Sequence, residues 1–244
     1  MEKVVRVGLL GFGTVGTGVV RVLTENASLI AQRAGTAIEI KKILVRDPYK
    51  KRALSTAAEL TTDPASVIRD PEIDIVAELL GGEEPARTLM LEALNQGKHV
   101  VTANKDVMAK YGRELFEAAE KNNVNLLFEA SVGGGIPIIR PLKRCLAANR
   151  ISEVMGIVNG TTNYMLDKMT SEGMDFATVL AEAQAKGYAE ADPTADVGGL
   201  DAARKIAILA SIAFGTRVRL DDVSAEGITN IEPEDIDYGR ELAM

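Results

Sequence analysis

Two hydrophobic periods alternate along the first half of this chain. Residues 4–20, VVRVGLLGFGTVGTGVV, open on β-branched and aliphatic side chains, break at glycines and resume with apolar positions at helical spacing. That pattern predicts a strand, a tight turn and a helix over residues 14–26. Residues 26–36 are expected to extend the helix or add a turn punctuated by Gly35. A second strand is predicted over residues 37–45, AIEIKKILV, ending at Arg46-Asp47-Pro48. Residues 71–80, PEIDIVAELL, read as a buried strand, followed by Gly81-Gly82 and a helix with Pro85 near its first turn. A strand over 99–103, a helix over 112–122 and a strand over 124–129 complete this half. Strand and helix alternating in this way imply parallel pairing through right-handed crossovers with helices on both faces, an α/β doubly wound sheet.

The pattern changes at Ser131-Val-Gly-Gly-Gly-Ile-Pro137. A domain junction is expected there, dividing residues 1–134 from residues 135–244. Beyond it the periods predict a helix over 138–148, a strand over 151–158, a turn at 159–163, helices over 164–171 and 176–186, and a helix running from Asp201 through Ala210. Together these make a smaller α+β domain.

Composition narrows the class. A chain of 244 residues can bury two modest cores. No apolar run approaches the ~20 residues of a membrane span. The start, MEKVVRVGLL, passes straight into a strand without a signal pattern. The expectation is therefore a cytoplasmic protein with no membrane partner. A net charge of −7 with scattered basic residues argues against a nucleic-acid partner. Cys145 is the single cysteine, which excludes an internal disulfide or a cysteine metal cage, and it is expected to be a buried apolar residue on a helix.

The chemistry begins at Gly11-Phe12-Gly13-Thr14-Val15-Gly16, a G-x-G-x-x-G between a predicted strand and a predicted helix. Gly11 permits the turn, Gly13 lets backbone approach a pyrophosphate, and Gly16 lets the helix pack on the strand, while the helix N-terminus offers N–H groups and partial positive charge. A dinucleotide on a Rossmann-type sheet is the reading; a glycine-rich turn without a ligand is the plain alternative. Arg46 at the end of the second strand favours NADP through its 2′-phosphate. Asp47, with Lys50, Lys51 and Arg52 nearby, leaves NAD or a merely solvated charge run open. His99, the only histidine, starts a strand away from the carboxyl ends where ligands bind and reads as structural. Lys105 lies just past the carboxyl end of its strand, where a nicotinamide would lie, against the alternative of a solvated lysine at a helix start. In residues 190–205, EADPTADVGGLDAARK, Asp201 and Lys205 are four apart and share a helix face. Such pairs are usually surface ion pairs, but Glu190, Asp192 and Asp196 gather just upstream.

These residues resemble those of the homoserine dehydrogenases. The likeness rests on Gly11 to Gly16, on Thr102-Ala-Asn-Lys105, on Glu129-Ala-Ser-Val-Gly-Gly-Gly-Ile-Pro137, on Asn159-Gly-Thr-Thr-Asn163, and above all on Gly187-Tyr-Ala-Glu-Ala-Asp-Pro193 with Gly199-Leu-Asp-Ala-Ala-Arg-Lys205. It covers essentially the whole chain. The resemblance implies a small-molecule reaction, the reversible NAD(P)H-dependent reduction of aspartate 4-semialdehyde to homoserine on the route to threonine, methionine and isoleucine. It makes Lys205 the proton donor, places Lys105 between nicotinamide and substrate, and has Asp201 orient Lys205. It gives Glu190 to the substrate's amino end, Asp196 to a supporting contact, and Gly160 and Thr161 to the substrate through backbone and hydroxyl. Cofactor binding would fall to Gly11, Phe12, Gly13, Thr14, Val15, Gly16, Arg46 and Lys105.

The resemblance further implies a monovalent cation, usually sodium, held by the Glu129 carboxylate and the main-chain carbonyls of Val132, Gly134 and Ile136. The residues alone read there as a flexible hinge. A homodimer formed through the second domain is also implied. Family members continue beyond Met244, so the chain is expected to be a truncated copy with an incomplete substrate domain, its final residues the cut-off start of a helix. Two other readings stay open: a different two-domain dehydrogenase of amino-acid-derived aldehydes or imines, and a dinucleotide-binding module without turnover.

Overall fold

β1 (Val5–Leu10) pairs in parallel with β2 (Ile38–Leu44) on one side and β4 (Ile75–Glu78) on the other. β3 (Glu59–Thr61) extends the first side; β5 (His99–Thr102) and β6 (Leu126–Leu127) extend the second, giving the order β3-β2-β1-β4-β5-β6. All pairings are parallel. This is the doubly wound, Rossmann-type sheet that the alternating periods imply. The strand order reverses between β1 and β4, and at such a point the loops leaving the two carboxyl ends diverge and open a crevice. The computed structural model describes residues 4–242 and divides into two units, Met1–Ile138 and Ile139–Met244.

In the first unit the helices are α1 (Thr14–Glu25), α2 (Ala27–Ala34), α3 (Pro64–Ile68), α4 (Ala86–Asn95) and α5 (Lys105–Lys121). The middle of the sheet is apolar because its strands are covered by crossover helices, whereas Val101 of β5 and Leu127 of β6 are 39% and 55% exposed. Leu9, Ile43, Val76 and Val100 are fully buried, as are Met90 and Leu94 of α4 and Leu115 of α5. Each such side chain contributes roughly 1.5–3 kcal/mol by leaving water. At the amino edge of the sheet, Lys41 and Lys42 converge on Asp70, at 2.7 and 3.1 Å, while Lys41 also meets Glu72 at 2.6 Å. There too the Nδ1 of His99 accepts a hydrogen bond from the Asn125 amide at 2.9 Å.

Several elements depart from the pattern-based expectation. Residues 26–36 hold a separate helix, α2, ended by Gly35 in the left-handed region at φ 72°. α5 starts at Lys105 rather than near residue 112, because the Asn104 side chain caps it by accepting from the Val107 amide. The strand expected over 124–129 shrinks to two residues, and Glu129 falls in a 3₁₀ turn, Glu129–Ser131. β3 and α3 were not foreseen.

The second unit contains α6 (Gly160–Glu172), α7 (Phe176–Ala185), α8 (Thr194–Val197), α9 (Leu200–Ala213) and α10 (Pro233–Glu241). Its core joins Met165 and Met169 of α6, Val179 and Ala183 of α7, Ala189 and Val197. Of the helix expected over 138–148, residues 139–145 are helical, the last five as a π-helical turn, Pro141–Cys145; Cys145 lies on it as expected but is exposed rather than buried. The turn expected at 159–163 is the capped start of α6, whose Asn159 side chain accepts from the Thr162 amide. Residues 151–158 lie outside any strand: a period-2 pattern needs a partner, and among the described residues this unit has no strand to pair with. Met155 and Ile157 are consequently 82% and 80% exposed. The helix at the end of the chain begins at Pro233, and Ala243 and Met244 lie outside the described residues.

Candidate active site

The glycine loop follows β1 directly. Gly11 has φ 107°, and a Cβ there would lie 2.8 Å from the Leu79 carbonyl oxygen. A Cβ on Gly16 would lie 2.3 Å from the Gly11 carbonyl oxygen, so only glycine lets α1 approach the turn this closely. At Gly13 the same test meets nothing within 4 Å. Gly13 is exposed and is the N-cap of α1, with no side chain to bond the first amides of the helix. Open space beside uncapped N–H groups, at the positive end of a 12-residue helix, suits a pyrophosphate.

The sequence after β2 forms a loop tied by Arg52. Its guanidinium donates to the carbonyls of Asp47 at 2.7 Å and Lys50 at 2.9 Å, and lies 5.4 Å from the ring centroid of Phe12. Arg52 is thus the strap that holds this loop against the glycine turn, whereas Arg46 is exposed at the strand end. Asp47 is also exposed, and its carboxylate accepts from the Tyr49 amide at 2.8 Å. Thr14 and Val15 open α1, with Val15 55% exposed.

Lys105 is the first residue of α5 and half-buried. The stretch before it is fixed by a group outside the sequence motifs: Glu78, the last residue of β4 and fully buried, accepts from the Thr102 hydroxyl at 2.6 Å. A lone carboxylate in an otherwise apolar run, just ahead of a glycine pair, was the available signal.

In the second unit Lys205 donates to Asp201 at 2.7 Å and to the Val158 carbonyl at 2.5 Å. The two side chains are 17% and 6% exposed, so this is a desolvated pair rather than a surface one. A third residue completes it. The Asn159 amide donates to Asp201 at 2.8 Å and to Asp196 at 2.7 Å, while its oxygen accepts from the Thr162 amide at 2.8 Å. Asn159 therefore bridges two carboxylates and caps α6 with one side chain; the sequence placed it in a motif without assigning it work. Gly160 and Thr161 form the first turn of α6. The Thr161 hydroxyl donates to the Tyr188 carbonyl at 2.7 Å, and Gln184 donates to the Glu190 carbonyl at 3.1 Å. These bonds steady the loop on which Glu190 is exposed.

The glycine-rich stretch after Glu129 is a folded turn. Gly133 and Gly135 have φ 62° and 83°, and the Ile136 amide donates to the Gly133 carbonyl at 2.7 Å. That bond occupies none of the Val132, Gly134 or Ile136 oxygens. The Glu129 carboxylate accepts from the Ile138 amide at 2.7 Å. Among the described residues no three His, Cys, Asp or Glu side chains could jointly hold a metal ion. A cation here would rest on carbonyl oxygens with one carboxylate, a donor set that fits a hard, weakly charged ion.

Comparison with known proteins agrees with this geometry. The family model described as homoserine dehydrogenase, NAD binding domain, matches residues 11–129, and the one described as homoserine dehydrogenase matches residues 137–244. A homoserine dehydrogenase from Synechocystis is 54% identical over 98% of this chain and 55% of its own length. The crystal structure of a homoserine dehydrogenase from Thiobacillus denitrificans is 51% identical with a TM-score of 0.96, covering 99% of this chain and 57% of that one. For a putative homoserine dehydrogenase from Archaeoglobus fulgidus the values are 33% and 0.86, covering 98% of this chain and 77% of that one. The chain spans about half the length of the curated relatives it matches. A G-x-G-x-x-G turn in one unit, a largely desolvated lysine–aspartate pair in the other and two family models spanning both place the chain in the homoserine dehydrogenase family.

Proposed function

We propose that the chain catalyses the reversible reduction of L-aspartate 4-semialdehyde to L-homoserine with a nicotinamide dinucleotide, preferring NADP. The observation that carries the reading is the Lys205–Asp201–Asn159–Asp196 cluster at the start of α6. When bound, the reduced nicotinamide supplies two electrons and a hydrogen to the aldehyde carbon. The oxygen of that aldehyde then needs a proton, which Lys205 gives, with Asp201 and the Val158 carbonyl holding its ammonium in place. Lys105 stabilises the same developing charge. Glu190 holds the substrate ammonium, Asp196 supports it, and Gly160 and Thr161 at the positive end of α6 receive the substrate carboxylate. Arg46 takes the 2′-phosphate of NADP, an assignment supported by its exposure at the end of β2.

The same reading has the Glu129 carboxylate and the carbonyls of Val132, Gly134 and Ile136 hold a sodium ion that stiffens the glycine-rich turn. It has two copies pair through the second unit, supported by the exposure of Met155 and Ile157. It places the protein in the cytoplasm; among the described residues no helix is long and apolar enough to cross a membrane. The test is NADPH oxidation by the purified chain with aspartate 4-semialdehyde, alongside NADH and a Lys205→Ala control. Turnover lost in the control, with NADPH still bound, is the expected result. NADPH binding without turnover in the wild type would overturn the reaction and leave a dinucleotide-binding module.

A further inference from the structure

Glu78 is a carboxylate at 0% exposure. Among the described residues it forms no ion pair with Lys, Arg or His, and a buried charge without a counter-ion is costly unless hydrogen bonds replace its water. The bonds it makes point one way. In the β4–β5 register Glu78 stands opposite Thr102, so both side chains leave the sheet on the same side. Glu78 accepts from the Leu80 amide at 2.8 Å through one oxygen and from the Thr102 hydroxyl at 2.6 Å through the other. Having donated its proton, the Thr102 oxygen accepts from the Asn104 amide at 2.9 Å. Asn104, itself 6% exposed, donates its side-chain NH₂ to the Gly82 carbonyl at 2.7 Å and accepts from the Val107 amide at 3.1 Å. Lys105 follows immediately. The chain of bonds thus ties the carboxyl ends of two strands, the Gly81-Gly82 turn and the first turn of α5 to one buried carboxyl group.

We infer that Glu78 is the positioning residue for Lys105, acting through Thr102 and Asn104; the inference rests on the role given to Lys105 above. The anchor has to accept at both of its ends. A glutamine offers one acceptor and one donor. If its oxygen keeps the Leu80 amide, its NH₂ faces the Thr102 oxygen, and the hydroxyl proton loses the acceptor it has in Glu78. A carboxylate has no such conflict, and it fixes the direction of every bond downstream.

The test compares Thr102→Val, Thr102→Ser and Glu78→Gln in the full chain, by steady-state kinetics, by NADPH fluorescence titration and by amide hydrogen exchange at Val107. Thr102→Val, which keeps the shape and removes the hydroxyl, is expected to lower kcat by about tenfold or more, since a small misplacement of a group at the reacting centre is enough. Its NADPH affinity should stay within about threefold. Thr102→Ser, with the hydroxyl restored, should recover kcat, and Glu78→Gln should behave like Thr102→Val. Exchange at Val107 should be faster in Thr102→Val than in Thr102→Ser. A purely structural role would lower thermal stability while leaving kcat equal in Thr102→Val and Thr102→Ser, and that result overturns the inference. If the wild type does not turn over aspartate 4-semialdehyde, the proposed reaction fails separately and the exchange rates decide. Equal protection of Val107 in both Thr102 variants would then remove the anchor.

Discussion

A methyl group at Gly13 would enter open space, whereas one at Gly16 would sit 2.3 Å from a carbonyl oxygen of the same loop. The two glycines therefore predict separable outcomes. Gly13→Ala should cost only the poorer N-cap, about 1 kcal/mol or less, but weaken NADPH binding by about tenfold, because the methyl fills the space the pyrophosphate needs. Gly16→Ala should lower stability by about 1–3 kcal/mol, as overpacking does, with weaker binding as a consequence of a displaced α1. Thermal melts paired with fluorescence titrations of both variants check this; equal loss of stability in the two would contradict it. The glycine spacing was legible because each position serves a backbone need. Glu78 and Asn159 were not, because nothing in the identity of a Glu or Asn says what it will face. Their roles appear only when the β4–β5 register sets Glu78 beside Thr102, and when α9 brings Asp201 to the end of α6.

Helices with a continuous apolar period, such as α1 and α7, lie close to the bounds the period predicts. At α5 and α6, which Asn104 and Asn159 cap, the apolar period sets in later than the helix itself. α5 opens with Lys105-Asp106, which adds nothing to an apolar stripe, so the period became visible only in its second half. β3 is three residues at the sheet edge, too short for an alternation. The strand pattern at 151–158 is genuine but has no partner strand in its unit among the described residues, so local preference does not become an element. α6 gives the test at this scale. Asn159→Ala removes its cap, at about 1 kcal/mol, and also takes the shared donor from Asp196 and Asp201. Asn159→Asp keeps the capping oxygen but sets a third carboxylate against two. The aspartate variant should therefore melt no higher than the alanine variant, despite its better cap. A clear advantage for aspartate in thermal melts would mean that the carboxylates are not held as close as 2.7 and 2.8 Å from Asn159.

For the molecule as a whole, the acid limb of stability has an identifiable contributor. Burial pushes the Asp70 carboxyl up, but hydrogen bonds from Lys41, the Glu72 amide and Lys42 outweigh it and hold the group well below the usual carboxylate range. Because the folded value lies under the unfolded one, near 3.8, the stabilisation is fully present above about pH 4 and is lost as pH falls further. Asp70→Asn should be less stable at neutral pH and should lose stability less steeply below about pH 4, measured by urea denaturation across pH. Parallel slopes in the two proteins would assign the acid limb to other groups.

Residues 149–157 are mostly exposed and, with Val158, lie outside helix and strand. Proteases take their substrates as extended chain, so this stretch is already in the form a protease accepts. Trypsin should cut at Arg150 well before it reaches the lysines and arginines within α5 or α9. The cut would leave the glycine loop on one fragment and Lys205 on the other, and mass spectrometry would find it early in digestion. A second copy bound over Met155 and Ile157 would slow that first cut, making the rate of nicking against protein concentration a direct gauge of self-association.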